Sequence, residues 1–169
     1  MKLLVEIREG DLGLEKVNVS QYEERIGARA ILFYKGKMAL LFVGKKKYHK
    51  LPGGKAERNE SIKDCLMREV FEETGCRIKV IGEVGSIIEY RNKNGIKQTS
   101  YCFLAEAVSC STPTFMEDEI KDEYKLEWVA LNEAISMLSK EKSKGYNGKF
   151  ILRRELAFLE EAKKWKEDI

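Results

Sequence analysis

The sequence predicts a mixed α/β or α+β fold, with strands and helices interleaved along one chain. Three observations predict it. Apolar residues alternate with period two on either side of Lys35-Gly36 and of Asn94-Gly95, a helical period runs between Ser61 and Gly75, and two further helical stretches follow near the C-terminus. A chain of 169 residues has room for one sizeable core and too little for two, so residues 1–169 are expected to form a single domain.

Lys2 to Arg8 reads as a strand, an N-terminal extension within residues 1–25. Ala28 to Tyr34 and Met38 to Val43 read as a hairpin turning at Lys35-Gly36, and Lys79 to Tyr90 with Gln98 to Ala107 as a second one turning at Asn94-Gly95, where positive φ is accepted cheaply. Leu126 to Leu131 is a further strand, and Asn132 to Lys140 and Lys149 to Trp165 are helices expected to pack on the sheet. The central helix, Ile62 to Thr74, has Ser61 as N-cap with Asp64 reaching back, and Gly75 where a left-handed C-cap is wanted. Pro52-Gly53-Gly54 before it reads as irregular loop, as does the polar Ser139 to Gly148 stretch.

With 43% apolar and 35% charged residues the chain is globular, neither disordered nor membrane-spanning. Its 31 Lys+Arg against 28 Asp+Glu leave a net charge of +3, too even to argue a nucleic-acid partner. Cys65, Cys76, Cys102 and Cys110 show no CxxC spacing, and His49 is the only histidine, which speaks against structural zinc. With no secretory h-region in MKLLVEIREG, reduced thiols and a cytoplasmic location are the expectation.

The central helix carries charge in an unusual place. At about 100° per residue, Glu69, Glu72 and Glu73 continue the stripe formed by Ile62, Cys65, Leu66 and Val70 instead of opposing it. Glu72 and Glu73 also lie near the helix C-terminus, where the macrodipole disfavours anions. Carboxylates at i, i+3 and i+4 repel and raise one another's pKa unless a cation compensates. A bound divalent cation resolves all three conflicts, and an all-oxygen donor set suits Mg²⁺ or Mn²⁺. Against this stands an ordinary solvated acidic helix end partnered by Arg68 and nearby lysines.

From Gly54 to Cys76 the segment GKAERNESIKDCLMREVFEETGC fits G-x5-E-x7-R-E-U-x-E-E-x-G-U, with U a bulky apolar residue. It resembles the Nudix box, residues 54–76. Gly54, Glu60, Arg68, Glu69, Glu72, Glu73 and Gly75 fill the fixed positions and Val70 the first U, while Cys76 at the second U departs softly from the pattern. Leu51-Pro52-Gly53-Gly54 matches the usual lead-in, and Leu126-Glu127-Trp128-Val129 resembles the family's late strand. The resemblance implies a Nudix-type α/β/α sandwich around a mixed β-sheet. It also implies hydrolysis of a nucleoside diphosphate linked to another moiety. On the same grounds Glu69, Glu72 and Glu73, with the Gly53 carbonyl, hold the cation, and Glu60 with Arg68 orients these ligands. Glu69 or Glu72 takes the proton of the attacking water.

The acidic loop from Phe115 to Glu127 offers Glu119 and Glu123 as one further ligand or base, with Glu123 the expected metal ligand and a solvated loop as the alternative. Lys45, Lys46, Lys47 and Lys50, with Tyr48 and His49 among them, form either a solvated basic turn or a field that draws in polyphosphate. Arg29, Gly54 and Lys50 are the candidate substrate-binding residues, although strand alternation also allows Arg29 to point outward. Tyr90, Tyr101 and Phe103 read as core or sheet surface, and His49 receives no catalytic role.

The leading functional reading is a MutT-like pyrophosphohydrolase acting on a (deoxy)nucleoside triphosphate. The upstream segment of the coenzyme A type is missing, and Tyr90-Arg91-Asn92-Lys93 lacks the proline typical of ADP-ribose hydrolases. ADP-ribose, dinucleoside polyphosphates and an RNA 5′-triphosphate stay open, as does a non-catalytic nucleotide-sensing module. A homodimer through the Lys2 to Arg8 edge is a further expectation.

Overall fold

The computed structural model describes residues 1–167, so the last two residues of the expected 1–169 domain lie outside the described residues. Eight strands form one mixed sheet: β1 (Leu3–Ile7), β2 (Glu23–Tyr34), β3 (Lys37–Val43), β4 (Tyr48–Lys50), β5 (Gly53–Lys55), β6 (Cys76–Arg91), β7 (Ile96–Cys110) and β8 (Tyr124–Val129). The helices are α1 (Ile62–Thr74), α2 (Glu117–Lys121), α3 (Leu131–Lys140) and α4 (Tyr146–Glu167). Strand order is β1-β6-β7-β2-β3-β4, with β5 added on β2 and β8 on β3.

Both expected hairpin turns are present, but they are used differently. β6 and β7 pair antiparallel along almost their whole length, from Cys76↔Cys110 to Arg91↔Ile96. β2 and β3 pair only at Phe33↔Met38 and Tyr34↔Lys37, at the end of β2, while the other edge of β2 runs parallel to β7 from Glu23↔Ile96 to Phe33↔Glu106. β3 turns instead to β8 and β4. Short β4 and β5 and the one-turn α2 are too brief for a periodic signal, which is why the sequence reads them as loop.

Alternation along β2 divides the interior in two. Ala28, Ala30 and Leu32 face Cys65, Leu66 and Val70 of α1, the alanines leaving room for the helix to approach, while Ile31 faces Phe150, Phe158 and Leu159 of α4. Helices therefore cover both faces of the sheet, and each fully buried Leu, Val or Phe contributes roughly 1.5–3 kcal/mol. α1 spans the predicted residues: Ser61 Oγ accepts the Asp64 N–H at 3.0 Å, and Gly75 at φ 70° closes the helix by donating its N–H to the Phe71 carbonyl. A Cβ on Gly75 would overlap the Ser111 carbonyl. No helix among the described residues is long and apolar enough to cross a membrane.

The expectation of four reduced thiols is corrected by the β6–β7 register. It sets Cys76 opposite Cys110, and the two are joined as a disulfide with Cα atoms 4.0 Å apart, while Cys65 and Cys102 are free and buried. Reading cysteines by linear spacing misses a bond between residues 34 apart that only strand pairing brings together.

Candidate metal and phosphate site

The site is built where the C-terminal half of α1 meets the Pro52-Gly53-Gly54 segment. Ala30 donates its N–H to the Pro52 carbonyl at 2.9 Å, and β5 pairs with β2 at Ala28↔Gly54 and Arg29↔Gly53, which fixes the glycines against the sheet. Gly54 lies so close to α1 that a Cβ there would overlap the Glu69 carboxylate. Glycine keeps that space open in front of the acid.

Glu73 is the innermost acid, 1% exposed. Its Oε2 accepts the Gly53 N–H at 2.6 Å and its Oε1 accepts from Lys50 Nζ at 3.0 Å. Burial, the largest influence, pushes the Glu73 carboxyl up to about 7 against the opposing pull of Lys50 and the Gly53 N–H. Lys50, from β4, is itself held charged: burial disfavours its ammonium, and the Glu73 carboxylate outweighs that. Nζ also donates to the Gly53 carbonyl at 3.3 Å, so Lys50 stands between two groups expected to ligate a metal.

Arg68 organises the outer acids. It forms a two-pronged pair with Glu60, Nε to Oε1 at 2.7 Å and Nη2 to Oε2 at 2.9 Å, and donates to Glu69 Oε1 at 2.8 Å and Glu72 Oε2 at 3.5 Å. The Arg68 hydrogen bond, with the Glu57 N–H behind it, holds the Glu60 carboxyl down to about 2. Glu72 goes the other way, raised by partial burial and by the Glu69 charge against the pull of Arg68.

A third carboxylate arrives from the loop after β7. Ser111 and Thr114 donate their N–H groups to the Gly75 and Glu72 carbonyls, both at 2.8 Å, so the loop satisfies acceptors exposed at the end of α1. The loop then delivers α2, where Glu119 accepts the Met116 N–H at 2.6 Å and joins Glu69 and Glu73, with one oxygen from each acid within 4.8 Å of the others. Such an all-oxygen set, with space kept open by Gly54, fits a hard divalent cation.

The expected residues therefore divide. Glu60, Arg68, Glu69, Glu72, Glu73, Gly53, Gly54 and Lys50 are brought together, but Glu72, expected among the metal ligands, is turned to Arg68 and lies outside the group of oxygens formed by Glu69, Glu73 and Glu119. Glu123 is not: at φ 58° it is exposed, its side chain lies against Gly44, and its carbonyl accepts the Gly44 N–H at 3.1 Å. Arg29 does point inward, but toward the α4 side, where its Nη1 donates to the Ala28 carbonyl at 2.8 Å and its Nε lies 3.8 Å from Glu155. There it borders a buried network in which Arg154 bonds Glu89 at 3.0 Å and Glu155 at 2.6 Å, and Arg91 bonds Glu89 at 2.6 Å. Nothing in the sequence pattern marks that network, because its members lie on separate strands and a helix. His49 is clamped between Glu141 and Glu127, a structural pairing across β4, β8 and the end of α3.

A family model described as "NUDIX domain" matches residues 24–152. No curated protein matches the chain in sequence. Among solved structures, a NUDIX hydrolase from Nitrosomonas europaea superposes with a TM-score of 0.65 at 18% identity, covering 85% of this chain and 91% of that one. A MutT protein from Methanosarcina mazei Go1 gives 0.57 at 21% identity, covering 86% and 99%. An ADP-ribose pyrophosphatase from Streptococcus suis 89-1591 gives 0.53 at 23% identity, covering 82% and 91%. These likenesses share the fold.

Proposed function

This chain belongs to the NUDIX domain family and is a hydrolase of acid anhydrides, and we propose that it cleaves the diphosphate link of a nucleoside diphosphate joined to another moiety, with a (deoxy)nucleoside triphosphate as the substrate class. The observation that carries this reading is the convergence of Glu69, Glu73 and Glu119 on one point beside a glycine that clears the space. Like charges gathered this closely oppose folding unless a cation joins them.

Glu69, Glu73 and Glu119 would hold Mg²⁺ or Mn²⁺. Such an ion supplies charge neutralisation at the phosphate oxygens and acidifies a water ligand. Arg68, locked by Glu60, keeps Glu69 and Glu72 in place. Glu72, outside the converging trio and held beside it by Arg68, takes the proton of the attacking water. The water oxygen bonds to phosphorus, the bridging P–O bond breaks, and the leaving phosphate departs with that electron pair.

The test is a hydrolysis screen with Mg²⁺ and then Mn²⁺ against nucleoside triphosphates, oxidised dGTP, ADP-ribose, dinucleoside polyphosphates and triphosphate-ended RNA, with every product identified. Expected is turnover of nucleoside triphosphates that vanishes with EDTA and in Glu72→Gln. Tight nucleotide binding with no turnover across the panel would replace the enzyme by a sensing module.

A further inference from the structure

Beyond the acids, α4 begins at a cleft of about 930 Å³ between the Lys45–Lys47 turn, the corner joining β6 to β7, and the 142–148 segment. We propose that this cleft binds the phosphate groups of a polyphosphorylated small molecule, as the part of the substrate beyond the cleaved bond. The proposal rests on the hydrolase reading above for its link to turnover, and on the cleft alone for binding.

Charge is the first argument. Among the described residues the lining contains no acidic residue. Lys46 is neutralised by Asp122 at 2.8 Å and Arg91 by Glu89, but Lys45, Lys47, Lys93, Lys142 and Lys144 form no ion pair among the described residues. Five ammonium groups without an ion-pair partner around one cavity repel one another, and a bound polyanion removes that repulsion.

Two further features border the same space. The first turn of the 22-residue α4, Tyr146-Asn147-Gly148, lines the cleft and carries no acid, so the helix dipole favours an anion there. Arg91, only 8% exposed, also borders the cleft, its guanidinium held by Glu89 and Asn147 and its buried Nε without a hydrogen-bond partner among the described residues. The walls are already ordered: Tyr146 Oη donates to Glu9 at 2.7 Å and accepts the Lys93 N–H at 3.2 Å, while Asn147 Oδ1 accepts from Asn94 at 2.8 Å and from Arg91 at 3.3 Å.

The cleft adjoins the acids. Tyr48 and Lys50 lie on one face of β4; Tyr48 lines the cleft, and Lys50 reaches Glu73. Tyr124, which also lines the cleft, has the Lys50 ammonium 5.1 Å from its ring centroid. Phosphate is favoured over single-stranded nucleic acid because the rings are already taken. Tyr146 packs on Phe150 beneath Lys93, Tyr124 packs on Phe115, and Tyr48 is buried. Bases would find no free stacking platform. Lysine ammonium groups on flexible stems suit a chain of phosphates without fixed geometry.

The test is calorimetric titration of the full chain with inorganic tripolyphosphate in EDTA, comparing the native protein with Lys45→Ala/Lys47→Ala/Lys144→Ala. These side chains are exposed and form no ion pair among the described residues, so the variant, relieved of their repulsion, is expected to melt no lower than the native protein. Expected is a loss of tripolyphosphate affinity of about tenfold or more, the equivalent of one charge-assisted contact, steepened at low salt, with a parallel rise in KM for a nucleoside triphosphate. Unchanged affinity in the variant, or a short single-stranded RNA that binds more tightly than tripolyphosphate and displaces it, would overturn the proposal. If the variant loses tripolyphosphate but no nucleotide is hydrolysed by either protein, the cleft stands as a polyphosphate site and the hydrolase reading is the one that fails.

Discussion

Lys50 Nζ lies 3.0 Å from Glu73 Oε1 in the interior and 3.3 Å from the Gly53 carbonyl, so an ammonium already occupies the neighbourhood in which those two oxygens would meet a metal. The pair balances a buried carboxylate that burial alone would neutralise. It also makes β4 part of the site, although β4 lies outside the box.

Lys50→Met removes that balance. Breaking a buried ion pair on one side costs roughly 3–5 kcal/mol, so the variant should melt well below the native protein in EDTA. Adding Mg²⁺ supplies a replacement cation and should raise its melting temperature more than that of the native protein. Equal gains in the two proteins would show that Lys50 and the ion do not share a role.

Glu119 and Glu123 are separable. Glu119→Gln should weaken Mn²⁺ binding, followed by electron paramagnetic resonance, by about tenfold or more. Glu123→Gln, altering an exposed side chain beside Gly44, should leave Mn²⁺ affinity within error. The reverse pattern would remove α2 from the metal site.

The His49 clamp makes stability depend on pH. Burial lowers the His49 pKa, but the hydrogen bonds with Glu141 and Glu127 outweigh it, and the net shift from 6.5 is upward. A histidine raised on folding contributes stability that is fully present below its unfolded pKa and is lost as pH rises through the folded value. The melting difference between the native protein and Glu141→Gln should therefore be largest below pH ~6.5 and shrink at alkaline pH. A difference that is flat with pH would mean His49 is neutral in the fold.

Thiol counting tests the strand register. Unreduced protein in denaturant should react with a thiol reagent at Cys65 and Cys102 only, and at all four cysteines after reduction. Four reactive thiols before reduction would restore the expectation drawn from the sequence. The bond pins Cys110, from which the chain leaves for Glu119, to the residue after Gly75, so its reduction should also weaken Mn²⁺ binding.

By itself the sequence determined what depends on neighbours within a turn or two. The limits of α1 follow from Ser61 and Gly75, its buried face from the apolar period, and the unusual placement of Glu69, Glu72 and Glu73 from the same 3.6-residue geometry. The pairing of Glu60 with Arg68 was implied by the box they belong to. Both strand turns were legible because Lys35-Gly36 and Asn94-Gly95 break the alternation, and Lys35 and Gly95 adopt positive φ as turns require. Tertiary structure decided whatever joins residues distant in the chain. Glu119, not Glu123, reaches the acids because the loop after β7 is hydrogen-bonded to the end of α1, and four residues along a chain that turns at φ 58° separate an inward carboxylate from an exposed one. Arg29 faces α4 because β2 is covered on both sides, so alternation cannot mean outward. Cys76 meets Cys110, and His49 meets Glu127 and Glu141, only through strand register and helix docking. Local periodicity encodes which face of an element is buried, whereas the identity of the partner across the gap is set by how the elements pack, and no single segment carries that information.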